Sequence, residues 1–185
     1  MRREEKKFDM SAGAVLLLAA LWFICDVPTF AAIFLAASVH EAGHILALRA
    51  AGCRISGFRA DAGGAMLLRR GALSAEGEVI CAASGPIAGL VFAFLASAAG
   101  RYTAIPLLTT ASGISLALSL FNLLPASPLD GGRILSALAG ERAAAGVGLA
   151  VAVLLLSLGL VLTARGLGLG LFIAGMWLTL AQAGL

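Results

Sequence analysis

The chain contains two histidines, and they stand four positions apart in His40-Glu41-Ala42-Gly43-His44. On an α-helix, residues i and i+4 project from one face, one above the other. Two imidazoles so placed can share a metal ion, and a carboxylate beside the first can reach a water on that ion. The chemistry implied is metal-assisted hydrolysis, with Glu41 as the general base. Two plainer alternatives stand beside it. One is a Glu–His pair that joins neighbouring helices by hydrogen bonds. The other is a site that binds metal without catalysis.

A hydrolytic zinc site takes three protein ligands and keeps its fourth position open. Cys25, Cys53 and Cys81 are isolated, odd in number and without a CxxC pair, so they read as small buried hydrophobes rather than thiolate ligands. Of the ten acidic residues most fall in loops, and Asp130 differs. It lies in Asn122-Leu-Leu-Pro-Ala-Ser-Pro-Leu-Asp130-Gly131-Gly132-Arg133, where Pro125 and Pro128 must break or kink a helix. Irregular backbone at membrane depth is tolerated only inside protein or beside a water-filled cavity. An ordinary helix-ending turn is the bland reading of this segment.

The elements that position these residues follow from composition. Of 185 residues, 61% are hydrophobic and 12% charged, and the mean hydropathy is +1.01. A soluble domain of this size could not hide so much apolar surface, and the same numbers exclude disorder. The solvent is a bilayer. A net charge of +3 without a basic, aromatic-interleaved patch gives no reason to expect nucleic acid as a partner.

Charge-poor stretches of about 17–25 residues mark spanning helices. They predict an all-α polytopic membrane protein in a single domain over residues 1–185. Its six spans fall near 10–25, 28–50, 79–99, 104–124, 145–164 and 167–183. The basic N-terminus ahead of an apolar run also suits a signal peptide, but no A-x-A site precedes a polar segment, which favours an uncleaved first span. With six spans, all but Arg101 and Arg165 of the 13 Lys and Arg fall on one side. That bias puts both termini and the opening of the site in the cytoplasm. The histidine helix and the fourth span then both descend to the cytoplasmic side, where Asp130 and the histidines can meet. Between the second and third spans, Arg54–Leu68 carries an extended amphipathic pattern (Ile55, Phe58, Ala60), with Ala62-Gly63-Gly64-Ala65 able to turn it back. It is expected to form a short membrane-associated strand or hairpin whose edge could pair with an unwound peptide, or else an interfacial loop. The alternating Gly166, Gly168 and Gly170 lack a βαβ context and carry no nucleotide-loop meaning.

HEAGH in one span and NLLPASPLDGGRIL after a later one resemble the site-2 protease family of intramembrane zinc metalloproteases, peptidase family M50. A third piece, Glu78-Val-Ile-Cys-Ala-Ala-Ser-Gly85-Pro86-Ile-Ala-Gly89, is similar to the family's GPxxN stretch, with Gly89 where Asn is usual. The match covers roughly residues 28–140, without a PDZ insertion or a CBS domain, and looks closest to the minimal bacterial, sporulation-type branch. The resemblance implies one zinc ion held by His40, His44 and Asp130, with Glu41 as the base. It gives Asn122 a role in positioning substrate or holding the oxyanion. The substrate implied is a membrane-anchored protein cut in or near its transmembrane segment, in a bacterial cell membrane, with any regulator a separate membrane protein. Two other function classes remain open. A metal-handling permease would place charges on several spans, and a non-catalytic scaffold would show a damaged motif.

Overall fold

The computed structural model describes residues 8–61 and 64–184. The basic residues Arg2, Arg3, Lys6 and Lys7, and Ala62-Gly63 of the expected turn, lie outside them.

A short strand, β1 (Phe8–Met10), opens the described chain and leads directly into helix α1 (Ala12–Ile24), which Ser11 caps by accepting from Ala14 N at 3.1 Å. Asp26 and Pro28 mark a helix start. Asp26 accepts from Thr29 N at 3.1 Å and Pro28 occupies the first turn of α2 (Val27–Ala50). Strands β2 (Arg54–Asp61) and β3 (Gly64–Arg70) follow as an antiparallel hairpin with an irregularity between Ile55 and Gly57. β1 pairs in parallel with β2, Phe8 opposite Phe58, giving the order β1-β2-β3. An Asp9–Arg59 ion pair at 3.3 Å and the bond from Ser11 N to Ala60 O at 2.9 Å reinforce that join.

Helix α3 (Ala75–Thr103) starts earlier and ends later than the 79–99 span expected, because Ser74 caps it and Glu76 and Glu78 suit its positive N-terminal end. Helix α4 (Pro106–Asn122) is followed by an irregular segment and then by α5 (Asp130–Ala139), α6 (Glu141–Ala164) and α7 (Gly170–Gln182). β1 and α5 were not expected. Strand β1 is short and gains its order only by pairing with β2. In α5, Gly131 and Gly132 occupy the first turn, although glycine weakens a helix.

Helices α2, α3 and α6 are long and apolar enough to cross a membrane, whereas α1, α4 and α7 are shorter apolar helices. The 24 residues of α2 span about 36 Å, beyond a hydrocarbon core of about 30 Å, and the 13 of α1 only about 20 Å.

Packing is inside-out relative to a soluble protein. The residues wholly buried include Ala32, Ala36, Ala82, Ala111, Ala126 and Ala152, while Phe23, Phe34 and Phe94 face outward. Small residues let helix backbones approach closely where lipid is as apolar as the core. Helices α2, α3 and α4 pack together, α5 rests on α3, and α6 pairs with α7. Where the hairpin meets α2 and α3, Leu48, Cys53 and Cys81 form a buried cluster with Leu67 and Leu73. All three cysteines are free thiols, in keeping with their apolar reading.

Candidate metal centre

The 3.6-residue turn of α2 stacks the rings of His40 and His44, with centroids 4.9 Å apart and planes at 80°. Their Nε2 atoms come within 3.2 Å of each other, and both side chains are buried. Helix α3 orients the second ring. The carbonyl oxygen of Cys81 can only accept, so His44 Nδ1 carries the proton and donates to it at 2.8 Å. That leaves Nε2 of His44 as a bare lone pair facing His40. One turn further on, Gly85 makes room for the ring, since a Cβ there would run into His44 Nε2. His40 Nδ1 is buried and has no hydrogen-bond partner among the described residues.

The segment after α4 delivers the third group. Ala126 and Leu129 are buried against Ala152 of α6 and Leu178 of α7, with Phe121, Leu124 and Trp177 packed around them. Gln182 of α7 donates to Ser127 O at 2.7 Å. The first turn of α5 then lies so close to Leu123 O that no side chain fits at Gly131. This anchoring sets Asp130 Oδ2 at 3.2 Å from Nε2 of both histidines.

Three electron-pair donors therefore face one another at mutual distances of 3.2 Å. Lone pairs repel unless a cation lies between them. A tetrahedral ion with bonds of about 2.0–2.1 Å holds its ligand atoms about 3.3 Å apart, so this triangle has the size of one face of a zinc coordination shell. Two imidazoles and a carboxylate are also a donor set that suits zinc. Among the described residues this is the group of His, Cys, Asp and Glu able to hold a metal ion. Glu41 is half-buried and within electrostatic reach of His40, His44, Asp130 and Arg133.

The sequence model of peptidase family M50 matches residues 97–164, which include Asp130 and its flanking motif. A zinc metalloprotease of Methanocaldococcus jannaschii, MJ0392, is 30% identical over 119 residues, 61% of this chain. Over these stretches the chain is similar to peptidase family M50 and to that zinc metalloprotease. It spans about a third (34%) of the length of that relative. The site-2 protease of the same archaeon shares the fold, with a TM-score of 0.74 at 23% identity over 96% of this chain and 89% of that one.

The remaining expected residues are held by other contacts. Asn122 closes α4, and its Nδ2 donates back to Leu118 O at 2.9 Å. Phe58 is paired on both sides, with Phe8 of β1 and Leu67 of β3. β2 is the central strand because the chain ahead of α1 folds back onto it. Ile55 lies in the same strand opposite Arg69. The sequence reading missed the Cys81 carbonyl, which carries no side-chain signal. It also missed Arg133, whose Nη1 donates to Asp130 Oδ1 at 3.3 Å, although its place one helical turn beyond Asp130 could have pointed to it.

Proposed function

We propose that this chain is an intramembrane zinc metalloendopeptidase that hydrolyses a peptide bond in or near the transmembrane segment of a membrane-anchored protein. The observation that carries this reading is the tetrahedral-sized triangle of His40, His44 and Asp130 in an apolar, lipid-facing bundle. These three residues would hold zinc, which supplies Lewis-acid polarisation of a carbonyl and a more acidic water. Glu41 takes a proton from the attacking water at a carboxylate oxygen. It returns that proton to the leaving amine nitrogen as the C–N bond breaks. Asn122, once its amide turns from Leu118, donates to substrate or oxyanion.

A helical substrate must unwind first, because its peptide bonds are shielded by their own hydrogen bonds, and unpaired groups in lipid cost several kcal/mol each. We place strand addition at the outer edge of β3, the flank left open by the order β1-β2-β3 among the described residues. Ile55 and Phe58 would act from the central strand by shaping that edge. In this reading α1, α4 and α7 complete six spans by tilting or by using flanking residues at the interface. Both termini and the opening of the site face the cytoplasm, the protein resides in the cell membrane, and any regulator is a separate membrane protein.

The deciding experiment is Glu41→Gln, assayed on a membrane-anchored reporter with zinc measured alongside. Zinc should stay at the wild-type level and cleavage should fall by about 10²–10⁴-fold, the usual share of a general base. Cleavage at the wild-type rate would remove Glu41 from the chemistry.

A further inference from the structure

We infer that Arg133 and Glu78 are positioning residues for Asp130, fixing which of its oxygens faces the histidines and tying that ligand to the sheet through Arg69. The inference rests on the reading of the triangle as a zinc site.

A carboxylate has two equivalent oxygens, and rotation of the group can exchange them or turn both away. Asp130 is buried, and only Oδ2 meets the imidazoles. Oδ1 needs a donor of its own, and Arg133 Nη1 supplies one at 3.3 Å. Arg133 projects from the same helix one turn on, and its side chain is 44% exposed. An exposed arginine on a flexible stem would not stay in one place unaided. Glu78, from the first turn of α3, holds its other arm, Arg133 Nη2 to Glu78 Oε2 at 3.3 Å. The second Glu78 oxygen is taken by Arg69 of β3, opposite Ile55 in the hairpin. The chain of contacts Arg69–Glu78–Arg133–Asp130 thus joins three separate elements, and a network of this kind holds geometry where an isolated surface pair would not.

Charge gives Glu78 a second part. A guanidinium beside a divalent ion repels it, and the Glu78 carboxylate offsets that repulsion while leaving the Arg133 fork in place. Orientation and repulsion therefore predict opposite signs for removing Arg133. If orientation dominates, loss of Arg133 weakens zinc binding; if repulsion dominates, it tightens it.

The test is zinc affinity of the chain in detergent, by competition with a chromogenic chelator. The variants are Arg133→Ala, Arg133→Lys, Glu78→Gln and the double variant Glu78→Gln/Arg133→Ala. Loss of an outer hydrogen-bond partner usually costs 10–100-fold in metal affinity, and Arg133→Ala should lose about that much. Arg133→Lys should also bind more weakly than wild type, because an ammonium cannot bridge Asp130 and Glu78 as the planar fork does. Glu78→Gln should weaken binding in the wild-type background and have little further effect when Arg133 is already gone. Two controls exclude a merely structural effect: an unchanged thermal midpoint of the metal-free protein, and an altered ligand-field spectrum with cobalt(II) in place of zinc. If Arg133→Ala fails to fold, Arg133→Met keeps the apolar stem and gives the same reading. Unchanged or tighter binding without Arg133, or an equal Glu78→Gln effect in both backgrounds, overturns the inference. Wild-type protein that binds no zinc would instead overturn the metal reading beneath it.

Discussion

His44 and Cys81 are joined by a 2.8 Å hydrogen bond from imidazole Nδ1 to a main-chain carbonyl, so α3 selects the tautomer of a ring carried by α2. A histidine that gives its Nδ1 proton to a fixed acceptor presents Nε2 as a ligand.

The space for that ring depends on Gly85. Gly85→Ala would push the His44 imidazole off its carbonyl, because the new methyl group overlaps the ring. Zinc affinity should fall by about 10-fold or more, as for other losses of outer support. Chelator competition measures it, and wild-type affinity would mean the ring relocates at no cost.

Asp130→Asn keeps the shape of the side chain and removes its charge. Zinc per chain should drop well below the wild-type value, and thermal stabilisation by added zinc should shrink with it. A ligand at 100 times its Kd stabilises the folded state by about 2.7 kcal/mol, so wild type should show a clear rise in Tm with zinc and Asp130→Asn much less. Equal shifts in the two proteins would show that Asp130 is no ligand.

Gly89 stands where the GPxxN pattern usually has Asn, and the structure shows what fills the space. Ser119 Oγ lies where a side chain at Gly89 would go, and Ser115 Oγ donates to Gly89 O at 3.0 Å. Restoring the usual residue by Gly89→Asn should therefore destabilise the protein by about 1–3 kcal/mol through overpacking. Adding Ser119→Gly should recover part of the loss. Detergent thermal melts of the two variants check this, and a Gly89→Asn protein as stable as wild type would refute it.

Proline at Ile55 tests the sheet separately from the metal. It removes a main-chain donor from the central strand opposite Arg69. Cleavage of a membrane-anchored reporter should fall while zinc content holds. Unchanged cleavage would detach the hairpin from substrate handling.

What the chain showed before folding was local or additive. The i, i+4 spacing of His40 and His44 puts both rings on one face of any helix that forms there. Composition names the bilayer, since hydropathy sums over residues regardless of their contacts. The break at Pro125 and Pro128 marked Asp130 as the acid in unusual backbone. Tertiary structure alone decided the rest, because those features depend on residues far apart in the chain coming into contact. A carbonyl such as that of Cys81 is the same in every residue, so nothing in the sequence could single it out. Strand β1 exists only where β2 meets it, and α5 carries two glycines in its first turn because the preceding loop presses on it. Glu78, Arg133 and Arg69 look like ordinary interfacial charges until three elements bring them to the second oxygen of Asp130.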